Sequence, residues 1–296
     1  MSNTFGGGRD AVDRPNGFES VSRLAWFDST VDQISSPPSE TKTVRYRPLE
    51  SRSMLPRFVG RLGVADAVTI ANATLGFVAI VVAFVDIELA ARLILLAAIA
   101  DGLDGLLARR YGGTEAGPYL DSLADVSSFA VAPAVLAFVV VSDGLGLSFD
   151  AVTAELLVVT AVCALFVAMA VTRLGLYTAY DTTGSYTEGV QTTLAATIIG
   201  AAILAGDPAD APVLILAITA GFTYLMVSRI PYPDLLARDA AIMGVVHALA
   251  ILVPTAAGRT FPYALLTLGI AYMTLSPWLY WRPEPRPAET DVHGNA

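Results

Sequence analysis

Charge is scarce in this sequence and unevenly distributed. Charged residues make up 15% of the 296 positions, whereas soluble domains usually carry about 25%. Residues 1–55 are polar and rich in charge, and long apolar blocks run from near Val64 to about Tyr280. This profile excludes an ordinary soluble domain and predicts a polytopic membrane protein with a polar N-terminal tail.

Cysteine and lysine are nearly absent as well. The single cysteine, Cys163, lies inside an apolar block, which excludes an intrachain disulfide and a thiolate zinc site. Lys42 is the only lysine, and the net charge is −9. The sequence therefore shows no basic face that would bind a nucleic acid. So little lysine beside a surplus of acidic residues is the composition we expect of a salt-loving organism.

The apolar blocks predict an all-α membrane bundle of about eight transmembrane helices. Each block has roughly 17–25 residues, the length that crosses a bilayer, without the two-residue alternation of a membrane β-strand. The predicted organisation is a disordered cytoplasmic tail (1–55), a membrane domain (56–282) and a polar C-terminal tail (283–296). The predicted helix limits are 64–85, 91–110, 118–141, 152–177, 188–206, 211–228, 238–255 and 261–281.

The arginines predict how the bundle is oriented in the membrane. The positive-inside rule places the arginine-rich side in the cytoplasm, together with both termini. The opposite loops carry aspartate and glutamate, and Arg259 is the exception. The arginines on the predicted cytoplasmic side stand at positions 57, 61, 109, 110, 173, 229, 238, 282 and 286.

Four aspartates stand at the end of the second predicted helix and the start of the third, near the predicted cytoplasmic face. Asp101 and Asp104 share one helix face because residues i and i+3 are neighbours, and Asp121 and Asp125 share a face at i and i+4. The connection between the two helices is short, so the helices are antiparallel and their acidic faces converge. A lone aspartate at a helix end is usually a solvated cap, but four at paired spacing indicate a functional site.

Carboxylates clustered in a membrane need a neutralising partner. Each ionised group costs about 2.5–3.5 kcal/mol on insertion scales, and like charges repel. One or two hard divalent cations would neutralise the cluster, and an all-oxygen donor set favours Mg²⁺ or Mn²⁺ over zinc. Paired metal ions indicate phosphoryl chemistry. The small residues Gly105, Ala108 and Gly117 would admit a ligand, and Arg109 would supply a positive partner for phosphate.

The same residues carry a family resemblance. The stretch resembles the CDP-alcohol phosphatidyltransferase signature, D-x-x-D-G-x-x-A-R followed by G-x-x-x-D-x-x-x-D. The spacer between the two halves is slightly shorter here than is usual. The fixed positions are filled by Asp101, Asp104, Gly105, Ala108, Arg109, Gly117, Asp121 and Asp125.

This resemblance implies a role for each residue. Asp101, Asp104 and Asp121 would bind two divalent metal ions, and Asp125 would be both a ligand and the general base. The implied reaction is attack of an alcohol hydroxyl on the lipid-linked phosphorus with CMP leaving, in a membrane enzyme that forms a homodimer. The implied contacts with the CDP-activated lipid are Gly105, Ala108, Arg109, Thr114 and Gly117.

Three further stretches resemble bacterial-type phosphatidylserine synthases. Residues 65–77, ADAVTIANATLGF, resemble their P-N-x-x-T-x-x-N-x-x-x-G-F segment, with Thr69, Asn72, Gly76 and Phe77 matching. The resemblance implies that Asp66, Thr69 and Asn72 also contact the CDP-lipid. Ala65 and Asp66 stand where those enzymes have Pro and Asn.

The other two stretches imply an anion site. Residues 173–174 and 189–193 resemble the R-L-A-R-F and G-x-P-x-x segments of the synthases, and Gly175 and Tyr177 depart from the first pattern. Residues 227–233, VSRIPYP, resemble their V-S-R-I-x-Y-P turn. Arg173 and Arg229 would then bind the serine carboxylate or a lipid phosphate.

The sequence therefore predicts an enzyme that transfers a phosphatidyl group from a CDP-activated lipid to L-serine. In a salt-loving organism the donor would be an ether lipid and the product archaetidylserine. Glycerol phosphate, inositol phosphate and inositol stay open as alternative acceptors for the same chemistry. A transporter with an acidic ion site is disfavoured because the acids cluster at helix ends in one half of the chain. The complete aspartate set disfavours a catalytically inactive binding protein.

Overall fold

The computed structural model describes residues 60–181, 186–206, 211–233 and 237–279. The predicted tails, 1–55 and 283–296, lie outside the described residues. Within those residues the chain forms eight helices and two very short strands, which confirms the predicted all-α bundle. The helices are α1 Val64–Ala83, α2 Ile87–Tyr111, α3 Gly117–Gly144, α4 Ala154–Leu176, α5 Thr192–Ala205, α6 Pro212–Leu225, α7 Ala237–Leu252 and α8 Thr260–Leu279.

Among the described residues, three helices are long and apolar enough to cross a membrane, judged by length and composition: α1, α3, and α4 with its continuation to Tyr180. Helices α5 and α6 are also apolar but have 14 residues each, so the predicted limits 188–206 and 211–228 are too long. The apolar residues beyond their ends, such as Val190 and Met226, belong to the connections. Because these connecting residues are as apolar as the helices beside them, hydropathy alone does not show where each helix begins or ends.

Helix α5 is the centre of the bundle. Twelve of its residues are buried, and a helix that is apolar on every side needs such a position. It packs between α2 and α8, where Gly200 lies beside Leu95 and Gly269 lies beside Ile198. These small residues bring the helix backbones close together, which is the usual basis of helix packing in membranes.

Alternating helix directions bring the ends of five helices, α1 to α5, to one end of the bundle. Thr69 of α1 contacts Asp104 of α2, and Thr193 of α5 contacts Asp101 of α2. Ser122 of α3 contacts Thr178, in the π-helical turn Tyr177–Asp181 that continues α4. We call this end, where α1, α3 and α5 begin and α2 and α4 finish, the aspartate end.

A two-stranded antiparallel pair also lies at the aspartate end, and the sequence did not predict it. Strand β1 (Tyr186–Glu188) precedes α5, and strand β2 (Pro231–Pro233) follows α6, with Thr187 opposite Tyr232. We call this pair the β-clip. Gly189 follows β1 with a φ of 78°, and a Cβ there would lie 2.2 Å from the carbonyl oxygen of Met226. Only glycine fits this turn.

The opposite end of the bundle is held by Arg259, the arginine that departs from the predicted charge pattern. Its guanidinium donates to the carbonyl oxygens of Leu204 and Gly206, each at 2.9 Å, and pairs with Glu88 at 3.0 Å. It therefore supplies donors to the C-terminus of α5, whose last carbonyls have no partner inside the helix. These contacts explain why an arginine lies at the end of the bundle whose predicted loops are otherwise rich in aspartate and glutamate.

We expect Arg259→Met to lower the free energy of unfolding by about 1–3 kcal/mol, because it leaves two partly buried carbonyls and Glu88 without their charged donor. Thermal unfolding of the purified protein in detergent measures this loss. The control is Arg238→Met, which removes an ion pair between Arg238 and its neighbour Asp239 in which the arginine side chain is 84% exposed. An exposed pair contributes little, so equal losses in both variants would contradict the assigned role of Arg259.

Candidate active site

Three of the four aspartates converge at the aspartate end, as their helical spacing predicts. Asp101 and Asp104 of α2 and Asp121 of α3 each place one carboxylate oxygen within 4.8 Å of the others. Asp125 lies one turn further along α3 and is 8% exposed. Its Oδ1 atom is buried and has no hydrogen-bond partner within the described part of the chain.

Hydroxyl groups from two other helices orient the cluster. Thr69 of α1 donates to Oδ2 of Asp104 at 2.6 Å. Thr193 of α5 donates to Oδ2 of Asp101 at a longer 3.4 Å. Outer partners of this kind fix the direction of metal-binding carboxylates. Thr69 was predicted as a lipid contact, whereas the contact of Thr193 with the cluster was not predicted.

The cluster fits a divalent cation. Its donors are all carboxylate oxygens, the ligands that hard cations prefer, and the unpartnered Oδ1 atom of Asp125 is a buried acceptor that needs a partner. Asp101, Asp104 and Asp121 would hold such an ion, and Asp125 offers a further oxygen. A cation would also offset the repulsion among buried like charges.

A π-helical segment begins directly after Asp125, at Val126–Val131. Such segments are rare and often mark functional sites. Ser127 and Ser128 donate from it to the carbonyl oxygens of Ala73 and Asn72 in α1, at 3.1 and 2.8 Å. Gly76 allows this approach, because a Cβ there would lie 2.7 Å from the Ser128 hydroxyl. The contact with α1 therefore fixes the backbone next to Asp125.

A cavity of about 320 Å³, which we call the α1 cavity, opens on one side of the cluster. It contains most of the predicted lipid contacts, together with Asp104 and Asp121. Its small residues leave room beside the carboxylates. The lining residues are Ala65, Asp66, Thr69, Asp104, Gly105, Ala108, Gly113, Thr114, Gly117, Pro118, Asp121, Ser122, Tyr177 and Thr178.

Two residues of the α1 cavity that were predicted to contact the CDP-lipid, Asp66 and Thr114, form hydrogen bonds with each other. The Thr114 hydroxyl lies 2.9 and 3.1 Å from the two carboxylate oxygens of Asp66. Asp66 also accepts from the backbone N–H of Gly63 at 2.7 Å. This network ties the loop after α2 to the start of α1.

Arg109 and Asn72 lie outside the lining of the α1 cavity. Arg109 is exposed, and its guanidinium lies 3.7 Å from the place that a Cβ would take at Gly105, which puts it near the cavity. Asn72 is fully buried one turn deeper in α1, and its side-chain amide has no hydrogen-bond partner among the described residues.

A second, smaller cavity of about 180 Å³ lies on the other side of the cluster, and we call it the α5 cavity. Arg173 is 7% exposed in its wall. The guanidinium of Arg173 donates from Nη2 to the Thr187 hydroxyl at 3.2 Å and lies over the Tyr177 ring at 5.5 Å. The lining residues are Asp101, Asp121, Ser122, Asp125, Arg173, Leu174, Tyr177, Thr187, Gln191, Thr192 and Thr193.

The aspartate cluster stands where the two cavities meet. Asp104 lines the α1 cavity, Asp101 and Asp125 line the α5 cavity, and Asp121 lines both. Ser122 and Tyr177 are also shared by the two linings. Two ligands, one in each cavity, would therefore meet at the carboxylates.

Of the two arginines predicted to bind an anion, one lies beside the aspartate cluster, and several polar residues of the smaller cavity were not predicted. Arg173 lines the α5 cavity, whereas Arg229 is exposed and belongs to the lining of neither cavity. Thr187, Gln191 and Thr193 were not predicted as site residues. Gln191 and Thr193 belong to the stretch 189–193 that resembles the synthases, whereas Thr187 lies two residues before it, where the sequence carries no such signal.

A family model described as CDP-alcohol phosphatidyltransferase matches residues 62–229, which is more than half of the chain. The matched range contains the four aspartates and every residue that lines the two cavities. No curated protein matches the sequence.

Proposed function

Because the chain belongs to the CDP-alcohol phosphatidyltransferase family, whose activity is transfer of a phosphatidyl group from a CDP-alcohol to an alcohol acceptor, we propose that it makes a serine phospholipid. The donor is a CDP-activated lipid with ester- or ether-linked chains, the acceptor is L-serine, and CMP is released. The observation that carries the proposal is the pair of cavities that meet at the aspartates, with Arg173 buried in the smaller one.

The α1 cavity is the proposed donor site. Its volume of about 320 Å³ lies within the range of roughly 300–1,000 Å³ typical of ligand pockets. Gly105, Ala108 and Gly117 keep side chains away from the space beside Asp104 and Asp121. The exposed Arg109 lies near Gly105, where a guanidinium can pair with a phosphate group.

The α5 cavity is the proposed acceptor site, and its size and charge favour serine. At about 180 Å³ it is smaller than the usual pocket for a drug-sized ligand. Arg173 is the one cation in its lining among the described residues, which suits a single carboxylate better than a doubly charged phosphate. The side-chain amide of Gln191 and the hydroxyl of Thr192, which also line this cavity, provide partners for the amine and hydroxyl of serine.

The proposed reaction is a displacement of CMP by the serine hydroxyl at the lipid-linked phosphorus. Asp125, in the wall of the acceptor site, takes the proton from the serine hydroxyl. The hydroxyl oxygen forms a bond to the lipid-linked phosphorus, and the bond from that phosphorus to the oxygen of CMP breaks. The family is divalent-metal dependent, and two ions of Mg²⁺ or Mn²⁺, held by the aspartates, would stabilise negative charge on the diphosphate.

The proposed site faces the cytoplasm. The aspartate end carries Arg109, Arg110, Arg173, Arg229 and Arg238, and the positive-inside rule associates such an end with the cytoplasmic side. Arg259, at the other end, is occupied by its contacts with Glu88 and α5. In this orientation both termini are cytoplasmic, and the chain is a multi-pass protein of the cell membrane.

The experiment that tests the proposal is CMP release from a CDP-lipid by the purified protein with Mg²⁺ or Mn²⁺. L-serine, glycerol phosphate, inositol phosphate and inositol are supplied in separate reactions. We expect CMP release in the reaction that contains serine and in none of the reactions that contain another alcohol. Release with another alcohol would retain the chemistry and replace the acceptor, and the absence of release with any of them would overturn the proposal.

We expect Arg173→Gln to raise the KM for serine by about 10- to 100-fold, because it removes a charge-assisted contact with the carboxylate. The KM for the CDP-lipid should stay close to the wild-type value, since Arg173 does not line the α1 cavity. Steady-state CMP release at varied serine and varied CDP-lipid measures both constants.

Arg229→Gln is the matched control for this substitution. Arg229 is exposed and lines neither cavity, so its serine KM should remain within about twofold of wild type. A larger rise in Arg229→Gln than in Arg173→Gln would assign the carboxylate to Arg229 instead.

A further inference from the structure

The β-clip contacts the proposed acceptor site through one side chain. Thr187, at the centre of β1, is 7% exposed and lines the α5 cavity. Its hydroxyl oxygen accepts the hydrogen bond from Nη2 of Arg173 at 3.2 Å. A strand residue thus holds the guanidinium of a residue in α4.

The β-clip is itself fixed to the bundle by backbone hydrogen bonds. The N–H groups of Gly189 and Val190 donate to the carbonyl oxygens of Ile230 and Leu225, at 2.9 and 3.0 Å. On the β2 side, the hydroxyl of Tyr272 in α8 donates to the carbonyl oxygen of Pro233 at 2.7 Å. The Thr187 hydroxyl is therefore held in place by contacts that do not involve the site.

Arg173 is held from a second direction by the ring of Tyr177, 5.5 Å from its guanidinium. A long arginine side chain loses rotamer freedom when it binds a ligand. Contacts that order the side chain in advance reduce this loss and so increase affinity. Thr187 and Tyr177 therefore both contact the Arg173 guanidinium in the wall of the cavity.

We propose that Thr187 is a positioning residue for the acceptor, which acts by orienting Arg173. The V-S-R-I-P-Y-P stretch then serves acceptor binding through β2 and its pairing with β1, and not through Arg229. This inference rests on the proposed function, because it assigns the α5 cavity to the acceptor.

Thr187→Val tests the inference, since valine keeps the β-branched shape that suits a strand and removes the hydroxyl. The KM for the acceptor should rise about tenfold, while kcat and the KM for the CDP-lipid stay within about twofold. Thr187→Ser keeps the hydroxyl and should restore the wild-type acceptor KM. The control is Thr219→Val, which removes a buried hydroxyl that donates to Ile215 within α6 and lines neither cavity.

A double-mutant comparison separates positioning from a direct contact. In an Arg173→Gln background, Thr187→Val should have no further effect on the acceptor KM, because residues that act as a unit are not additive. A full tenfold effect in that background would overturn the inference, and so would an unchanged KM in the single variant. Thr187→Ala provides the same comparison if Thr187→Val does not fold.

Wild-type protein is assayed alongside with every acceptor in the panel. Activity with an acceptor other than serine leaves the inference standing, and the same KM comparison for that acceptor decides it. A wild-type protein that is inactive with all of them would overturn the proposed function and this inference together. An active wild type with an unchanged Thr187→Val variant would overturn the inference alone.

Discussion

The Asp125→Asn variant is expected to release CMP about 10²- to 10⁴-fold more slowly than wild type, which is the range attributed to a positioned general base. Asn keeps the size of the side chain and cannot accept the proton from the hydroxyl of the alcohol acceptor. Asp125 lines the α5 cavity and not the α1 cavity, so binding of the CDP-lipid should be largely retained. Single-turnover CMP release at saturating Mn²⁺, together with direct binding of the CDP-lipid, measures the two effects separately.

Asp143→Asn is the matched control for this prediction. Asp143 lies in the same helix, at the opposite end, and is exposed. The same change of charge there should leave CMP release near the wild-type rate. Near-normal turnover in Asp125→Asn would remove Asp125 from the role of base, and strong loss of CDP-lipid binding would make it a binding residue instead.

The helices and the aspartate cluster could be predicted from the sequence because both depend on local periodicity. Seven residues of connection between Arg109 and Gly117 leave two helices no arrangement other than antiparallel, so the faces that carry Asp104 and Asp121 meet. The predicted limits 64–85 and 91–110 differ from α1 and α2 by at most four residues at any end. Apolar length and paired spacing were sufficient for this part of the molecule.

The β-clip and the contacts of Thr187 could not be predicted in this way. They join residues 186–188 to residues 231–233, which are far apart in the chain, and three-residue strands produce no periodic signal. The π-helical segment after Asp125 has a similar cause. It packs closely against Gly76 in another helix, whose missing side chain admits Ser127 and Ser128. Tertiary packing, rather than local propensity, decides both features.

Arg259 departs from the predicted charge pattern, and its contacts give the physical reason. The positive-inside rule counts charge and does not consider hydrogen bonding. Arg259 satisfies two carbonyls at the end of α5 and pairs with Glu88. It is therefore a packing residue, and it gives no information about which side of the membrane it faces.

Removal of divalent cations is expected to abolish CMP release, and addition of Mg²⁺ or Mn²⁺ is expected to restore it. The physical reason is the concentration of negative charge, because three carboxylates have oxygens within 4.8 Å of one another and Asp125 lies beside them. These carboxylates would repel the diphosphate of the donor unless cations offset the negative charge. Release of CMP before and after treatment with excess chelator measures the effect. Full activity in excess chelator would contradict the metal assignment.

Thermal stability tests the metal site independently of activity. A variant that lacks two of the clustered carboxylates should be more stable than the wild type without metal and less stable than the wild type with saturating Mn²⁺. Without divalent cations, an Asp101→Asn/Asp121→Asn double variant should unfold at a higher temperature than wild type, since it removes like-charge repulsion from a partly buried cluster. With saturating Mn²⁺, the wild type should gain stability in proportion to the logarithm of the metal concentration over its Kd, and the double variant should gain little. Titration of Mn²⁺ by electron paramagnetic resonance measures the difference in metal binding directly.

Asp143→Asn is again the control and should behave like the wild type with and without Mn²⁺. A double variant that binds Mn²⁺ as tightly as the wild type would place the metal elsewhere.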